Sequence, residues 1–128
     1  YYTDKKLPGV GISIGLTRLF YKLNELQALK FDKRAIADVL VVSASDDISV
    51  CLPIATQLRN SDINTEVYME NKKIKAKFKY ADKLSVPFVI VIGETELETN
   101  TVSLKNMSTG EQLQISIEDA IKIIKGTN

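Results

Sequence analysis

The chain has 128 residues, of which 45% are apolar and 26% charged, with 17 basic and 16 acidic side chains. This composition suits one compact domain with a short piece of another, and it argues against intrinsic disorder. With no histidine and one cysteine, the chain cannot assemble a serine–histidine–aspartate or cysteine–histidine nucleophile, a cysteine/histidine zinc site or an internal disulfide. No apolar run is long enough to cross a bilayer, and the first residues do not form a signal peptide.

Charge is distributed unevenly along the chain. Residues 1–35 carry seven basic and three acidic groups, whereas residues 36–128 carry ten basic and thirteen acidic groups. The mildly acidic second part disfavours non-specific nucleic-acid binding. The single cysteine suits a reducing cytoplasm, where we expect the protein to work. The chain begins with Tyr1 rather than Met, and we expect it to be part of a longer protein.

The first patterned segment changes its period at Leu16. From Val10 to Ile14 apolar residues alternate with small ones, which predicts a strand. Polar residues further on predict a linker over residues 31–37. Between the strand and the linker, apolar residues at steps of three and four predict an amphipathic helix of about 15 residues, with the face Leu16, Leu19, Phe20, Leu23, Leu26 and Leu29.

Residues 38–128 are predicted to form a three-layer α/β domain. Two continuous apolar runs are typical of strands that are covered on both faces, and a later pair of alternating runs around Gly110 is typical of a hairpin. The elements predict a largely parallel sheet with an antiparallel strand near one edge. The predicted strands are Val39–Val42, Glu66–Met69, Phe88–Ile92, Thr101–Met107 and Gln112–Ser116.

Three helices are predicted in the same domain. Ser45–Asp47 offers an N-cap and an acidic first turn for a helix that reaches Arg59, and Pro53 should kink this helix or move its start. The last helix covers Ile117–Lys125. The second helix covers residues 71–84, with the predicted inner face Ile74, Phe78, Ala81 and Leu84.

Glycines and one arginine at the first strand–helix junction are candidates for ligand binding. Gly11 and Gly15 do not have the spacing of a dinucleotide fingerprint. Glycine within a strand indicates a bulge or another group close to the backbone. Arg18, one turn into the helix, is either solvated or salt-bridged, or it contacts phosphate through its bidentate fork.

Two further features of the 38–128 region point to binding. Four lysines of the second helix form one stripe, which is either a solvated face or a contact surface for a nucleic-acid backbone. The acidic segment 93–98 is predicted to be a loop at the carboxyl end of a strand, where open α/β sheets bind ligands. Cys51 is interpreted as a buried small apolar residue. The stripe consists of Lys72, Lys75, Lys79 and Lys83.

Two stretches of the chain resemble class II aminoacyl-tRNA synthetases of the histidyl type. Motif 3 of these enzymes is similar to the string PGVGISIGLTRLFYKL, which starts at Pro8. The C-terminal anticodon-binding domain of the same enzymes resembles the later strings DVLVVSAS and KYADKLSVPFVIVIGETELETN, which follow in the family's order. The resemblance implies three parts: the end of a catalytic domain over 1–30, a linker over 31–37 and an anticodon-binding domain over 38–128.

The resemblance also implies a fold and site residues. It implies a mixed sheet of five strands in the order 2-1-3-4-5, with strand 4 antiparallel. It places Arg18 at the motif 3 arginine that contacts the ATP phosphates, and Gly11 and Gly15 beside the adenylate. It implies that Glu96 and Lys105 contact anticodon bases. Lys105 departs from the arginine usual in the family, and lysine lacks the bidentate fork.

The implied parent is a cytoplasmic, homodimeric histidine–tRNA ligase. It would activate histidine with ATP and Mg²⁺ and transfer the histidyl group to tRNA(His). We expect the 128 residues alone to be inactive, to hold no cofactor or metal, and to bind neither membrane nor DNA. Two alternatives stay open. One is a regulatory or accessory tRNA-binding protein with a synthetase-like fold and no catalysis, and the other is a small-molecule binding module of flavodoxin type.

Overall fold

The computed structural model describes residues 8–29 and 36–127. The chain forms two compact units, Tyr1–Asp32 and Lys33–Asn128. Most of the predicted linker, residues 31–35, lies outside the described residues. Within the described ranges, no helix is both long enough and apolar enough to cross a membrane.

The first unit contains helix α1, Leu16–Glu25. It is shorter than predicted because Gln27 has a φ of 51°, a left-handed conformation that ends a right-handed helix. The strand predicted over 10–14 is wrong, since residues 8–15 have no regular secondary structure and Val10 is 96% exposed. A strand needs hydrogen bonds from a neighbouring strand, and the described part of this unit contains none.

The second unit contains a five-stranded sheet. Its strands are β1 (Val39–Ser43), β2 (Thr65–Val67), β3 (Phe88–Ile92), β4 (Val102–Asn106) and β5 (Gln112–Ile115). Their order is β2-β1-β3-β4-β5. β1 pairs in parallel with β2 and β3, whereas β4 pairs antiparallel with β3 and β5. The predicted fold class, strand order and antiparallel fourth strand are therefore confirmed.

Four helices accompany this sheet: α2 (Cys51–Asn60), α3 (Ile74–Lys83), α4 (Glu94–Thr99) and α5 (Ile117–Thr127). Pro53 lies in the first turn of α2, where its missing N–H costs no helical hydrogen bond. It moves the start of the helix, which was one of the two predicted outcomes. The prediction that Ser45–Asp47 caps α2 is wrong, because Val50 occupies the N-cap.

The core consists of two layers, one on each face of the sheet. Val39 and Val41 pack beneath residues of α2 and α5, and Leu40 and Val42 pack against residues of α3. A continuous apolar run is required because alternate residues of β1 enter opposite layers. Cys51 is fully buried, as predicted, and burial raises the pKa of its thiol to about 11.

Candidate nucleic-acid interface

Two connecting segments meet at the carboxyl ends of β1 and β3. One is residues 44–50, which lead into α2, and the other begins at Gly93 and leads into α4. The backbone N–H of Ala44 donates to the Ile92 carbonyl at 2.7 Å, and a Cβ on Gly93 would lie 3.4 Å from the Ala44 Cβ. We call this region, residues 43–50 and 93–101, the carboxyl edge. Open α/β sheets bind ligands at such an edge.

Glu96 lies at the carboxyl edge in the first turn of α4. Its Oε2 atom accepts a hydrogen bond from the Gly93 N–H at 3.0 Å, which satisfies a donor at the helix start. A Cβ at position 93 would lie 2.9 Å from Oε2, so an alanine there would displace the Glu96 carboxylate from this hydrogen bond. The prediction of a loop over 93–98 is wrong, because Glu94 and Glu96 in the first turn stabilise a helix through its dipole.

A cavity of about 300 Å³ opens beside Glu96, between α2, α4 and the start of α5. Pro53 and Leu97 contribute apolar walls, and Gln57, Glu96 and Asn100 contribute polar groups. In the part of the chain that the structure describes, Glu96 uses only Oε2 as an acceptor, so Oε1 can accept from a ligand. Apolar walls with amide and carboxylate groups at the rim suit a flat, hydrogen-bonding ring such as a nucleobase.

Lys105 lies on β4, between Val89 of β3 and Gln112 of β5. Its side chain is on the α3 face of the sheet, where Nζ lies 4.6 Å from the centroid of the Phe78 ring. Val89 is the second residue of β3, and Glu96 lies beyond its last residue, so Lys105 and Glu96 are roughly 10 Å apart along the strand direction. The structure therefore does not bring the two predicted base contacts together.

Lys77 is buried on the inner face of α3, where the sequence predicts apolar residues. It is 2% exposed, and its Nζ donates to the carbonyl of Ser43, the last residue of β1, at 2.7 Å. The stem of a lysine packs on apolar surface while its ammonium reaches a polar group. The predicted inner face is wrong in part: Ala81 is fully buried and Phe78 half-buried, but Ile74 and Leu84 are exposed.

The four lysines of the predicted stripe are all exposed. Lys75, Lys79 and Lys83 are four residues apart on α3 and share one face of the helix. Lys72 precedes α3, so the prediction that the helix begins at residue 71 is wrong. Because Lys77 reaches the end of β1 and Lys83 lies near the connection to the start of β3, Lys72 and Lys75 are nearest the carboxyl edge.

Gly11, Gly15 and Arg18 lie at and before the start of α1. Gly15 is the N-cap of this helix, and a Cβ there would lie 3.8 Å from the Arg18 Cβ, an ordinary contact. A Cβ on Gly11 would have no atom within 4 Å. The side chain of Arg18 is exposed. The ATP contact of Arg18 and the need for glycine beside the adenylate stay predictions about a bound nucleotide.

Sequence reasoning missed the cavity and the burial of Lys77. The cavity walls come from three helices that are distant in the sequence, so no local pattern encodes them. The available signals were the separate helix starts: Pro53 in α2, Gly93 before α4 and Ser116, whose Oγ accepts from the Asp119 N–H at 3.1 Å. Lys77 is missed because its residue type is usually exposed.

The chain is similar to known proteins in sequence and in fold. The family model for the anticodon binding domain matches residues 38–127. The histidine–tRNA ligase of Clostridium tetani is 50% identical over 98% of this chain and 29% of that protein. The corresponding ligase of Finegoldia magna is 43% identical over 97% of this chain and 28% of that protein. The crystal structure of histidyl-tRNA synthetase from Nostoc sp. PCC 7120 has a TM-score of 0.72 and 31% identity, covering 89% of this chain and 28% of that one.

The family model covers more than half of the chain, and the chain therefore belongs to the anticodon binding domain family. The resemblance to histidyl-tRNA synthetases is confirmed by the sequence relatives and the solved structure. The chain spans less than a third of the length of these relatives. Neither the family nor the antiparallel β4 supports the flavodoxin-type alternative.

Proposed function

We propose that residues 38–128 bind the anticodon arm of tRNA(His) at the carboxyl edge, as part of a histidine–tRNA ligase. The observation that carries this proposal is the cavity beside Glu96, because it combines a free carboxylate oxygen with apolar walls. The family's description as an anticodon binding domain supports the same partner. Residues 1–30 would be the end of the catalytic domain and residues 31–37 the linker.

The cavity suits a base that has left its stack. Single-stranded RNA loops are recognised by stacking bases on protein side chains and by hydrogen bonds to base edges. Pro53 and Leu97 provide surfaces for a base to pack against. Glu96 Oε1 accepts from an amino or imino group, while the amides of Gln57 and Asn100 can either donate or accept. Glu96 therefore contributes most to the preference for a base whose edge presents hydrogen-bond donors.

The exposed lysines suit the RNA backbone. Each lysine that meets a phosphate releases counterions, so the affinity falls as salt rises. Lys75 and Lys83 are eight residues apart on α3, or about 12 Å along the helix axis. RNA bound at the carboxyl edge would meet Lys72 and Lys75 before Lys83. Lys105 contacts Phe78 on the other face of the sheet from the cavity, and it would meet a neighbouring nucleotide rather than the base held by Glu96.

The parent enzyme would activate histidine with ATP and transfer the histidyl group to tRNA(His), as a cytoplasmic homodimer. Arg18 would contact the ATP phosphates through its guanidinium, with Gly11 and Gly15 beside the adenylate. Within residues 8–29 and 36–127, no group of three acidic or cysteine side chains could hold a metal ion. No Mg²⁺ ligand is therefore assigned among these residues.

A titration of the 128-residue chain with RNA tests the proposal. The probes are the anticodon stem-loop of tRNA(His) and the same stem-loop with its anticodon bases replaced. The chain should bind the native loop more tightly, and Glu96→Gln should raise the Kd for that loop about tenfold, since it removes one charge-assisted hydrogen bond. Glutamine still offers an oxygen to the Gly93 N–H, so α4 keeps its first turn.

Glu98→Gln is the matched control, because Glu98 is an exposed residue of the same helix and does not line the cavity. It should leave the Kd at the native value.

Lys75→Met should reduce the slope of log affinity against log salt by about 1, and Lys83→Met should reduce it less. Equal affinity of the wild-type chain for both loops would contradict base reading at this edge.

A further inference from the structure

Lys77 is a buried charge that the proposed RNA contacts do not use. Its Nζ donates to the Ser43 carbonyl at 2.7 Å and lies 5.9 Å from the centroid of the Tyr68 ring. No ion pair joins Lys77 to a carboxylate within the described residues. Burying an ammonium without a carboxylate partner is costly in free energy, and an apolar side chain of similar volume would avoid that cost. The cost indicates a role for the hydrogen bond to Ser43.

Ser43 begins a continuous chain of hydrogen bonds through the 44–50 connection. The Ser45 N–H donates to Ser43 Oγ at 3.1 Å, and the two hydroxyls are 3.0 Å apart. The Asp47 N–H donates to Ser45 Oγ at 3.3 Å. The Asp47 carboxylate accepts from the Ser49 N–H and Oγ at 2.9 and 2.6 Å, and these bonds hold the pKa of Asp47 below its usual value.

The 44–50 connection leads directly into a wall of the cavity. Val50 and Pro53 line the cavity, and they lie one and four residues after the end of the hydrogen-bond chain. Near its start, the connection is held to β3 by the Ala44 N–H, which donates to the Ile92 carbonyl. The Ser43 carbonyl and the Ala44 N–H belong to one planar peptide unit, so Lys77 and Ile92 hold its two sides, and a rotation of this unit would displace both the connection and the α2 wall of the cavity.

We propose that Lys77 is a positioning residue for the cavity beside Glu96. By donating to the Ser43 carbonyl, it fixes the 44–50 connection and the α2 wall against which a base packs. This inference rests on the proposed anticodon binding, and it adds a residue that does not touch RNA. Because its ammonium is buried, Lys77 affects the choice between anticodons more than the general attraction of RNA.

Three variants separate this role from a packing role. Lys77→Met keeps an unbranched apolar side chain out to the Cε position and removes the donor and the charge. Lys77→Gln keeps a donor without a charge. Lys125→Met is the matched control, because it removes the same charge from an exposed position on α5. Each variant is measured by amide hydrogen exchange and by the ratio of the Kd values for the altered and native stem-loops.

In Lys77→Met, the amides of Ser45 and Asp47 should exchange at least about tenfold faster, while those of β3 keep their protection. The Kd ratio should fall at least about threefold, which is a loss of selectivity. Lys77→Gln should recover part of both quantities, and Lys125→Met should match the wild-type chain in both. Wild-type exchange together with a wild-type Kd ratio in Lys77→Met would overturn the proposal.

Two exposed residues keep the test decisive if Lys77→Met does not fold. Ser45→Ala and Asp47→Ala interrupt the hydrogen-bond chain at exposed positions, and each should reduce the Kd ratio as Lys77→Met does. A wild-type ratio in both would overturn positioning through the connection. If the wild-type chain binds both loops equally, the proposed function and the selectivity role of Lys77 fail together. If the wild-type chain prefers the native loop and the Lys77, Ser45 and Asp47 variants keep the same preference, only the proposed role of Lys77 fails.

Discussion

Two apolar segments of this chain differ strongly in their exposure to solvent. The side chains of Val10, Ile12 and Ile14 are 74–96% exposed, whereas those of Val39–Val42 are fully buried. Both segments have the composition of strands, but β1 pairs with strands on both sides and helices cover both of its faces. Residues 8–29 include no strand. An apolar pattern thus shows which residues can be buried, and a pairing strand decides whether they are.

Helices do not share this dependence. α1 and α2 each have ten residues, yet the structure buries no residue of α1 and three residues of α2. Both helices form because their backbone hydrogen bonds are internal to the segment. The pattern of α1 was therefore predictable without a tertiary contact, whereas a strand needs a neighbour to accept its hydrogen bonds.

The largest expected difference between the two units is in the cost of removing the same side chain. Ile90 is fully buried in β3 and Ile12 is 88% exposed. Ile90→Ala should lower the free energy of unfolding by about 3 kcal/mol through lost burial and a new cavity, and Ile12→Ala should change it by less than about 0.5 kcal/mol. Urea unfolding measures both. Equal costs would mean that residues 8–15 are also packed in solution.

The reactivity of Cys51 tests burial chemically. Its pKa is raised from 9.0 to about 11 by burial, so the thiolate fraction at pH 8 is about 100-fold below that of an exposed thiol. Alkylation by iodoacetamide should be at least that much slower in the native chain than in urea. Cys51 is the only cysteine, so the total alkylation reports this site. Similar rates in both conditions would contradict the described core.

The same pKa shift predicts a pH dependence of stability. The folded state holds the thiol proton more tightly than the unfolded state, so the stabilisation is complete below pH 9 and is lost as the pH rises toward 11. Cys51→Ala should remove the part of the fall in the free energy of unfolding that the thiol causes. The part that other titrating groups cause should stay. Parallel curves for Cys51→Ala and the wild-type chain between pH 9 and 11 would show that the thiol does not titrate as described.

Replacing either of two glycines by alanine should give a difference in stability of intermediate size. Gly93→Ala places a Cβ 2.9 Å from Glu96 Oε2, and Gly11→Ala places one where no atom lies within 4 Å. Gly93→Ala should lower the free energy of unfolding by about 1 kcal/mol, because it displaces the carboxylate that starts α4. Gly11→Ala should change it by less than about 0.5 kcal/mol. Unfolding in urea with matched protein concentrations measures both, and equal effects would contradict the close contact at Gly93.

The smallest expected effects are those of two exposed ion pairs, one in each unit. Lys22 and Glu25 are 2.8 Å apart on α1, as are Asp119 and Lys122 on α5. Solvent and salt screen such pairs, so Lys22→Met and Lys122→Met should each shift the Tm by less than about 2 °C. Thermal unfolding at low and high salt checks this. A larger shift for Lys122→Met would mean that its contact with Asp119 contributes to the cap of α5.

The strands of the second unit could be predicted because their apolar runs and the turn residues between them indicate the same elements. The continuous runs at Val39–Val42 and Phe88–Ile92 match strands buried on both faces, and Gly110 with a φ of 77° supplies the turn of the hairpin. α4 could not be separated from a loop, because it is six residues long and its apolar content is low. Its stability comes partly from the Glu96 carboxylate, a contact that only the folded backbone reveals.

The candidate site was predictable in position but not in composition. The segment 93–98 follows from the rule that ligands bind at the carboxyl ends of parallel strands, and the choice of Glu96 within it came from the resemblance to synthetases. Pro53, Gln57 and Asn100 join the site only because α2 and α4 converge in the folded chain. Lys105 and Glu96 were each expected to contact anticodon bases, and the register of β4 with β3 separates them along the strand. This register depends on the pairing of β3 with β4 and cannot be predicted from the sequence of either strand alone.

The most direct test of RNA binding at the carboxyl edge is a map of amide chemical-shift changes as the anticodon stem-loop of tRNA(His) is added to the ¹⁵N-labelled chain. We predict that the largest changes fall in residues 93–101, in the first turns of α2 and around Lys72 and Lys75, with small changes near Lys83. Changes concentrated at Lys79 and Lys83, or on the β2 side of the sheet, with none at residues 93–101, would contradict the account.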